Sequence, residues 1–155
     1  AAMAIDVALE ENPDCEVEVI GMELDPEIIH KIQEVNPPFK CYPIFKQITT
    51  TNLIVKQGKV TVKYLLGDAR ETCKTLPENY FDAIFFDPFS PKSSPEVWGE
   101  AFFKEMCRVL KPTGVLATFS CARMARDNMA AAGLFYDDGP IVGRRGPGTI
   151  ATKWV

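Results

Sequence analysis

A chain of 155 residues with 46% hydrophobic content fits one ordinary globular domain with a core of its own. Seventeen basic residues against 21 acidic ones leave a net charge of -4. That charge gives no global attraction for a polyanion but leaves a local basic patch open, so nucleic-acid binding is neither suggested nor excluded.

Cys15, Cys41, Cys73, Cys107 and Cys121 are odd in number, widely spread and without a CxxC pair. Neither a disulfide framework nor a zinc site is indicated, and a reducing, cytoplasmic setting fits. No apolar run approaches the roughly 20 residues of a bilayer span, and the opening AAMAIDVALEEN lacks a basic targeting region, so no membrane partner is expected.

In chain order, Ala1 to Glu11 carries Ala1, Ala4, Ile5, Ala8 and Leu9 at helical spacing and is stopped by Asn12-Pro13-Asp14. Glu16 to Met22 turns β-branched and apolar, a strand with an acidic tip at Glu23. Asp25 then caps, and Pro26 opens, a helix to about Val35 that Pro37-Pro38 breaks. One short helix is expected within Phe39 to Thr51. Asn52 to Val55 and Lys59 to Leu66 read as strands around a Gln57-Gly58 turn, followed by Gly67-Asp68-Ala69 and a short helix from Arg70 to Leu76.

Phe81 to Phe86 is a short run interrupted only by Asp82, and it predicts a strand buried on both faces. It ends at Asp87 in a loop whose prolines, Pro88, Pro91 and Pro95, restrict φ and suit the accurate presentation of side chains. An amphipathic helix over Glu96 to Leu110 ends at Lys111-Pro112-Thr113-Gly114. Val115 to Phe119 is the next strand, Arg123 to Ala132 a helix closed by Gly133, and Leu134 to Tyr136 with Thr149 to Val155 a final antiparallel pair. The β-α-β order argues for a doubly wound α/β sheet.

Three strand ends carry an acid: Glu23 with Asp25, Asp68, and Asp87. In a parallel sheet these ends lie along one edge, where open α/β sheets bind ligands. A carboxylate just past a strand accepts both hydroxyls of a ribose; for Glu23 the competing role is a helix cap, which Asp25 is better placed to fill. Gly67 lets a ring approach the backbone while Asp68 accepts an exocyclic amine, against the plainer reading of a tight turn. His30, the only histidine, reads as solvated, and Cys121 as buried and inert.

These acidic tips, the Gly67-Asp68-Ala69 turn and the Asp-Pro-Phe loop resemble the class I S-adenosylmethionine-dependent methyltransferases. More narrowly, Asp87-x-Phe89-x-Pro91-x-x-x-Pro95-x-x-Trp98 is similar to the methyltransferase domain of the MnmC tRNA-modification family. Gln57 to Thr61 leading to Leu66-Gly67-Asp68, the segment Leu116 to Ser120, and the turn Gly143-Arg144-Arg145 add to that likeness, which covers roughly residues 15 to 155. The resemblance implies a Rossmann-like, mostly parallel sheet with a C-terminal antiparallel hairpin. It also implies S-adenosyl-L-methionine as cofactor, contacted by Glu23, Asp25, Gly67, Asp68, Ala69, Asp87 and Pro88.

The implied reaction is methylation of the exocyclic amine of 5-aminomethyl-2-thiouridine at the tRNA wobble position, with an FAD-dependent oxidase as fused domain or separate partner. Placing a neutral amine in line with the S–CH₃ bond can supply ~7–11 kcal/mol. Asp87 would orient the amine and take its proton, with Phe89 beside it. Phe89 and Trp98 would wall the base by stacking, Pro91 would line the same loop, and Arg144 and Arg145, with Arg123 and Arg126 on a nearby helix, would meet tRNA phosphate.

One departure from the family stands out. Class I methyltransferases carry a glycine-rich turn after their first strand, ahead of the helix placed at Ala1 to Glu11, yet no glycine precedes Gly21. The missing strand is central in the family order, between Glu16 to Met22 and Phe81 to Phe86, so two inner edges should lack a partner. The chain is therefore expected to be a partial domain whose neighbour another segment supplies. Two alternatives follow: a methyltransferase of a small amine, favoured by the net negative charge, or a non-catalytic binding remnant of the fold. A dinucleotide oxidoreductase ranks last, because the chain contains no GxGxxG.

Overall fold

The computed structural model describes residues 1–141, 143 and 146–153, in two compact units, Ala1–Thr72 and Cys73–Val155. In the first unit, α1 (Ala2–Glu11) leads into β1 (Val17–Glu23), α2 (Pro26–Glu34), a short α3 (Tyr42–Phe45), β2 (Ile54–Gln57), β3 (Val60–Leu66) and α4 (Ala69–Thr72). β1 and β3 run parallel, from Val17 opposite Val60 to Glu23 opposite Leu66. Gly58, at φ +60°, turns β2 back antiparallel on β3, which gives the order β1-β3-β2. Ile5, Ile29, Ile44, Phe45, Ile48, Val55 and Val62 form the core beneath.

Two carboxylates set the helix entries of this unit. Asp25 caps α2 as expected, its Oδ1 accepting the Glu27 N–H at 2.9 Å. Asp6 reaches from α1 to accept the N–H groups of Lys40 and Cys41, at 2.6 and 2.9 Å, just ahead of α3. Burial, followed by the nearby Asp6 carboxylate, pushes the Cys41 thiol up to about 11, so it stays protonated at neutral pH.

In the second unit, a 3₁₀ turn (Cys73–Thr75) precedes β4 (Phe81–Phe85), and a second (Pro95–Trp98) precedes α5 (Glu100–Val109). β5 (Leu110–Thr118), α6 (Arg123–Ala131), β6 (Phe135–Asp138) and β7 (Thr149–Thr152) complete a sheet of order β4-β5-β7-β6. α5 buries Phe102, Phe103, Met106 and Val109, each worth roughly 1.5–3 kcal/mol when fully removed from water. Arg108 ties the helix to the first 3₁₀ turn by donating to the carbonyls of Leu76 and Cys73, at 2.9 and 3.1 Å.

Several expectations are corrected. The helix expected from Glu96 begins at Glu100, because Pro95–Trp98 winds as 3₁₀. β5 begins at Leu110 rather than Val115, with the Lys111-Pro112-Thr113-Gly114 segment held as a bulge between the pairs Phe81–Leu110 and Ala83–Val115. Gly114 fits that bulge because a Cβ there would stand 2.8 Å from the Phe81 carbonyl oxygen.

β4 is not buried on both faces. Phe86, just past it, packs on Phe102, Phe103 and Trp98, but Phe85 on the opposite face is 66% exposed, alongside exposed Val115 and Ile150. An apolar sequence run signals burial but not which segments cover each face, and here only the Phe86 side meets an aromatic cluster. Antiparallel pairing is also commoner than expected, with two parallel and three antiparallel strand pairs among the described residues.

β1 and β4 each lie at an edge of their own sheet among the described residues. At the start of β4, exposed Asp82 pairs with Lys111 at 2.7 Å, a charge that discourages adventitious strand addition. Hydrogen exchange should find the slowest amides in β3 and in β5 and β7, which have strands on both sides, and faster exchange in β1 and β4. Protection of β1 and β4 equal to that of β3 and β5 would mean that a further strand pairs with them.

Candidate functional site

The acidic residues of the first unit meet at the carboxyl ends of two parallel strands. Glu23 closes β1 opposite Leu66, and the Gly67 N–H donates to the Glu23 carbonyl at 2.9 Å, so Gly67-Asp68 leaves β3 directly beside Glu23. Glu23 Oε1 accepts the Asp25 N–H at 2.9 Å. Asp25 itself is engaged as a cap, which makes Glu23 the better placed of the two to meet a ligand.

Gly67 adopts φ +132°, which L side chains rarely reach, and so leaves its side of the turn without a side chain. Asp68 accepts from the Arg70 N–H at 2.9 Å and from Arg70 Nε at 3.0 Å, and its carbonyl receives the N–H groups of Glu71 and Thr72. Ala69 opens α4. This corner presents two carboxylates and an uncovered backbone turn, which is chemistry suited to the hydroxyls and ring of a nucleoside.

The second unit presents a different surface. Asp87 is exposed at the carboxyl end of β4, and among the described residues no hydrogen-bond donor meets its carboxylate. Pro88 and Pro91 are half-buried, and the Phe89 side chain is 79% exposed. Turns at Ser90 keep the loop tight: its carbonyl accepts from Ser93 and Ser94 N–H at 2.8 and 3.0 Å.

Trp98 departs from the role expected of it. It is fully buried, edge-on to Phe86 at 5.0 Å and to Phe119 at 5.9 Å, so its faces serve packing and not a base. Its Nε1–H donates to the Phe89 carbonyl at 2.8 Å, which pins the loop across nine residues. Asn128 Nδ2, on α6, donates in turn to the Trp98 carbonyl at 2.8 Å.

The expected phosphate contacts fare unevenly. Arg126 is committed to the fold: it donates to Asp138, Thr149 and Gly148 at 2.6, 2.9 and 3.1 Å and lies over the Tyr136 ring, its side chain only 18% exposed. Tying β6 and β7 to α6 in this way takes it away from phosphate. Arg123 is exposed and near Asp127 at 3.6 Å. Arg144 and Arg145 lie outside the described residues. Cys121 is exposed rather than buried, because β5 ends at Thr118 and the chain leaves the sheet before α6. His30 is exposed, as expected.

Sequence reasoning missed Phe119 and Asn128 as part of this surface. In the sequence Phe119 stands only as the last residue of an expected strand, within the Leu116 to Ser120 segment of the family likeness, and nothing marks Asn128.

Comparison with known proteins adds a family. Residues 31–154 match a family described as S-adenosyl-L-methionine-dependent methyltransferase. The tRNA 5-methylaminomethyl-2-thiouridine biosynthesis bifunctional protein MnmC of Ralstonia nicotianae is 33% identical over 105 residues, covering 66% of this chain and 16% of that protein. The crystal structure of MNMC2 from Aquifex aeolicus superposes with a TM-score of 0.76 at 25% identity, over 98% of this chain and 48% of that one. The PH0226 protein from Pyrococcus horikoshii, 17% identical with a TM-score of 0.55 over 97% of this chain and 77% of that one, shares the fold. The chain thus spans about a sixth of the Ralstonia protein and about half of the Aquifex chain.

Trp98→Phe keeps an aromatic ring against Phe86 and removes the donor to Phe89. It should cost about 1 kcal/mol in urea unfolding and speed amide exchange across residues 89–94. Unchanged stability and exchange would show that the hydrogen bond does not hold the loop.

Proposed function

We propose a function that starts from one fact: the chain belongs to the S-adenosyl-L-methionine-dependent methyltransferase family, with that family's Rossmann-like class I fold. Our reading is methyl transfer from S-adenosyl-L-methionine to the exocyclic amine of 5-aminomethyl-(2-thio)uridine at the tRNA wobble position. A flavin-dependent oxidase, fused or separate, is the partner this reading expects. The observation that carries the cofactor assignment is the meeting of Glu23 with Gly67-Asp68 at adjacent parallel strand ends.

The residues fit the cofactor. With Oε1 of Glu23 holding the Asp25 N–H, Oε2 is the oxygen to take a ribose hydroxyl. Gly67 leaves room for a ring, and Asp68 takes an exocyclic amine by sharing the oxygens that Arg70 now occupies, with Ala69 beside it. Asp25 holds the turn that presents Glu23.

When bound, S-adenosyl-L-methionine supplies an electrophilic methyl group on a positive sulfonium. The protein's task is then mainly placement, because an oriented pair of reactants already removes much of the barrier. Asp87, exposed at the end of β4, accepts hydrogen bonds from the substrate ammonium, aligns it, and takes up the proton that the nitrogen gives up. Pro88 and Pro91 restrict the loop, so that the carboxylate and the Phe89 ring keep their places while the amine is held. A small-amine substrate is the second reading, and the commitment of Arg126 to the fold, which removes one candidate phosphate contact, favours it.

Calorimetric titration with S-adenosyl-L-methionine should show binding that weakens at least tenfold in Asp68→Ala. Asp87→Asn should keep cofactor affinity yet lose methyl transfer to an anticodon stem-loop bearing 5-aminomethyluridine by about a hundredfold or more. A folded chain without cofactor affinity would point to the non-catalytic remnant, and transfer only to free amines to the small-amine reading.

A further inference from the structure

We infer that Phe119 is a substrate-stacking residue, which with Phe89 holds the planar base that carries the acceptor amine; this rests on the reading of the substrate as an unpaired RNA nucleoside. The register brings it to the end of the sheet from which Asp87 also leaves. β4 and β5 run parallel with Phe85 opposite Ala117, and the Phe86 N–H donates to the Ala117 carbonyl at 2.8 Å. Counting two residues on from the Phe85–Ala117 pair reaches Asp87 on one strand and Phe119 on the other. Both leave the same end of the sheet, the end where ligands bind in open α/β folds.

Phe119 is 41% exposed, so part of it is open to a ligand. It meets Trp98 at an interplanar angle of 83°, and in either sense of an edge-on contact at least one face of the Phe119 ring is left uncovered by the indole. That buried indole is the same group that holds Phe89 by its carbonyl. One rigid side chain thus touches the Phe119 ring and holds the Phe89 backbone, and Asn128 anchors Trp98 from α6.

An aromatic face suits a base that has left its stack. Stacking is worth ~1–3 kcal/mol per base, tolerates any planar ring, and favours an unpaired nucleotide over one still stacked in a helix. It would also leave the cofactor corner in the first unit untouched, because that corner is built from Glu23, Gly67 and Asp68.

The test compares the full protein with Phe119→Leu and Phe119→Tyr, using an anticodon stem-loop RNA with 5-aminomethyluridine in its loop. Phe119→Leu should raise the Kd and KM for the RNA roughly five- to hundredfold, and Phe119→Tyr should restore them, with cofactor Kd unchanged in both. If the wild type and Phe119→Leu bind the RNA equally, the inference fails while the RNA reading stands. A loss of cofactor affinity in Phe119→Leu would make the residue structural and overturn the inference. A wild type that binds cofactor but no RNA would overturn the substrate reading and the inference with it.

Discussion

The second unit depends on where the indole N–H of Trp98 goes. A buried indole needs a hydrogen-bond acceptor, and here it takes the carbonyl of Phe89, nine residues earlier and on the far side of a proline-rich loop. The ring is locked among Phe86, Phe103 and Phe119, so the acceptor is locked as well. The loop that carries Asp87 and Phe89 is therefore fixed by its backbone, which leaves both side chains exposed and available. The aromatic residue that looked like a wall of the site is instead the clamp behind it.

In the first unit the same economy comes from strand register. Parallel pairing of β1 with β3 up to Glu23 and Leu66 brings an acid and a glycine-aspartate turn to one corner, and the Gly67 N–H stitches the two together. Their value lies in position, since a carboxylate at a strand end meets a ligand without having to be buried. Asp25 supports Glu23 from the turn while its own oxygen closes the first turn of α2.

Much of this was readable in the residues. Caps, breakers and β-branched runs act locally, so Asp25, Pro26 and Gly133 marked their elements well, and Asp87 at the end of a short apolar run announced the loop. What failed depended on distant partners. Apolar letters at Phe81 to Phe86 signal burial, but whether both faces are covered is decided by other segments, and Phe85 lies exposed. Arg126 looked like a cation for phosphate, whereas Asp138, Thr149 and Tyr136, all beyond the next turn, hold it. Trp98 looked like a stacking residue because an aromatic ring in a motif does not show whether it is buried. Lys111 to Gly114 read as a helix end because proline and glycine mark bulges as readily as loops.

The claim that gathers these parts is that an amine on a tRNA wobble uridine is the methyl acceptor. Nucleoside analysis of tRNA from cells lacking the gene, with and without a copy carrying Asp87→Asn, tests it most directly. The account predicts that the 5-methylaminomethyl nucleoside disappears, that its unmethylated aminomethyl precursor accumulates, and that the Asp87→Asn copy fails to reverse either change. An unaltered nucleoside profile in the deletion strain would contradict it.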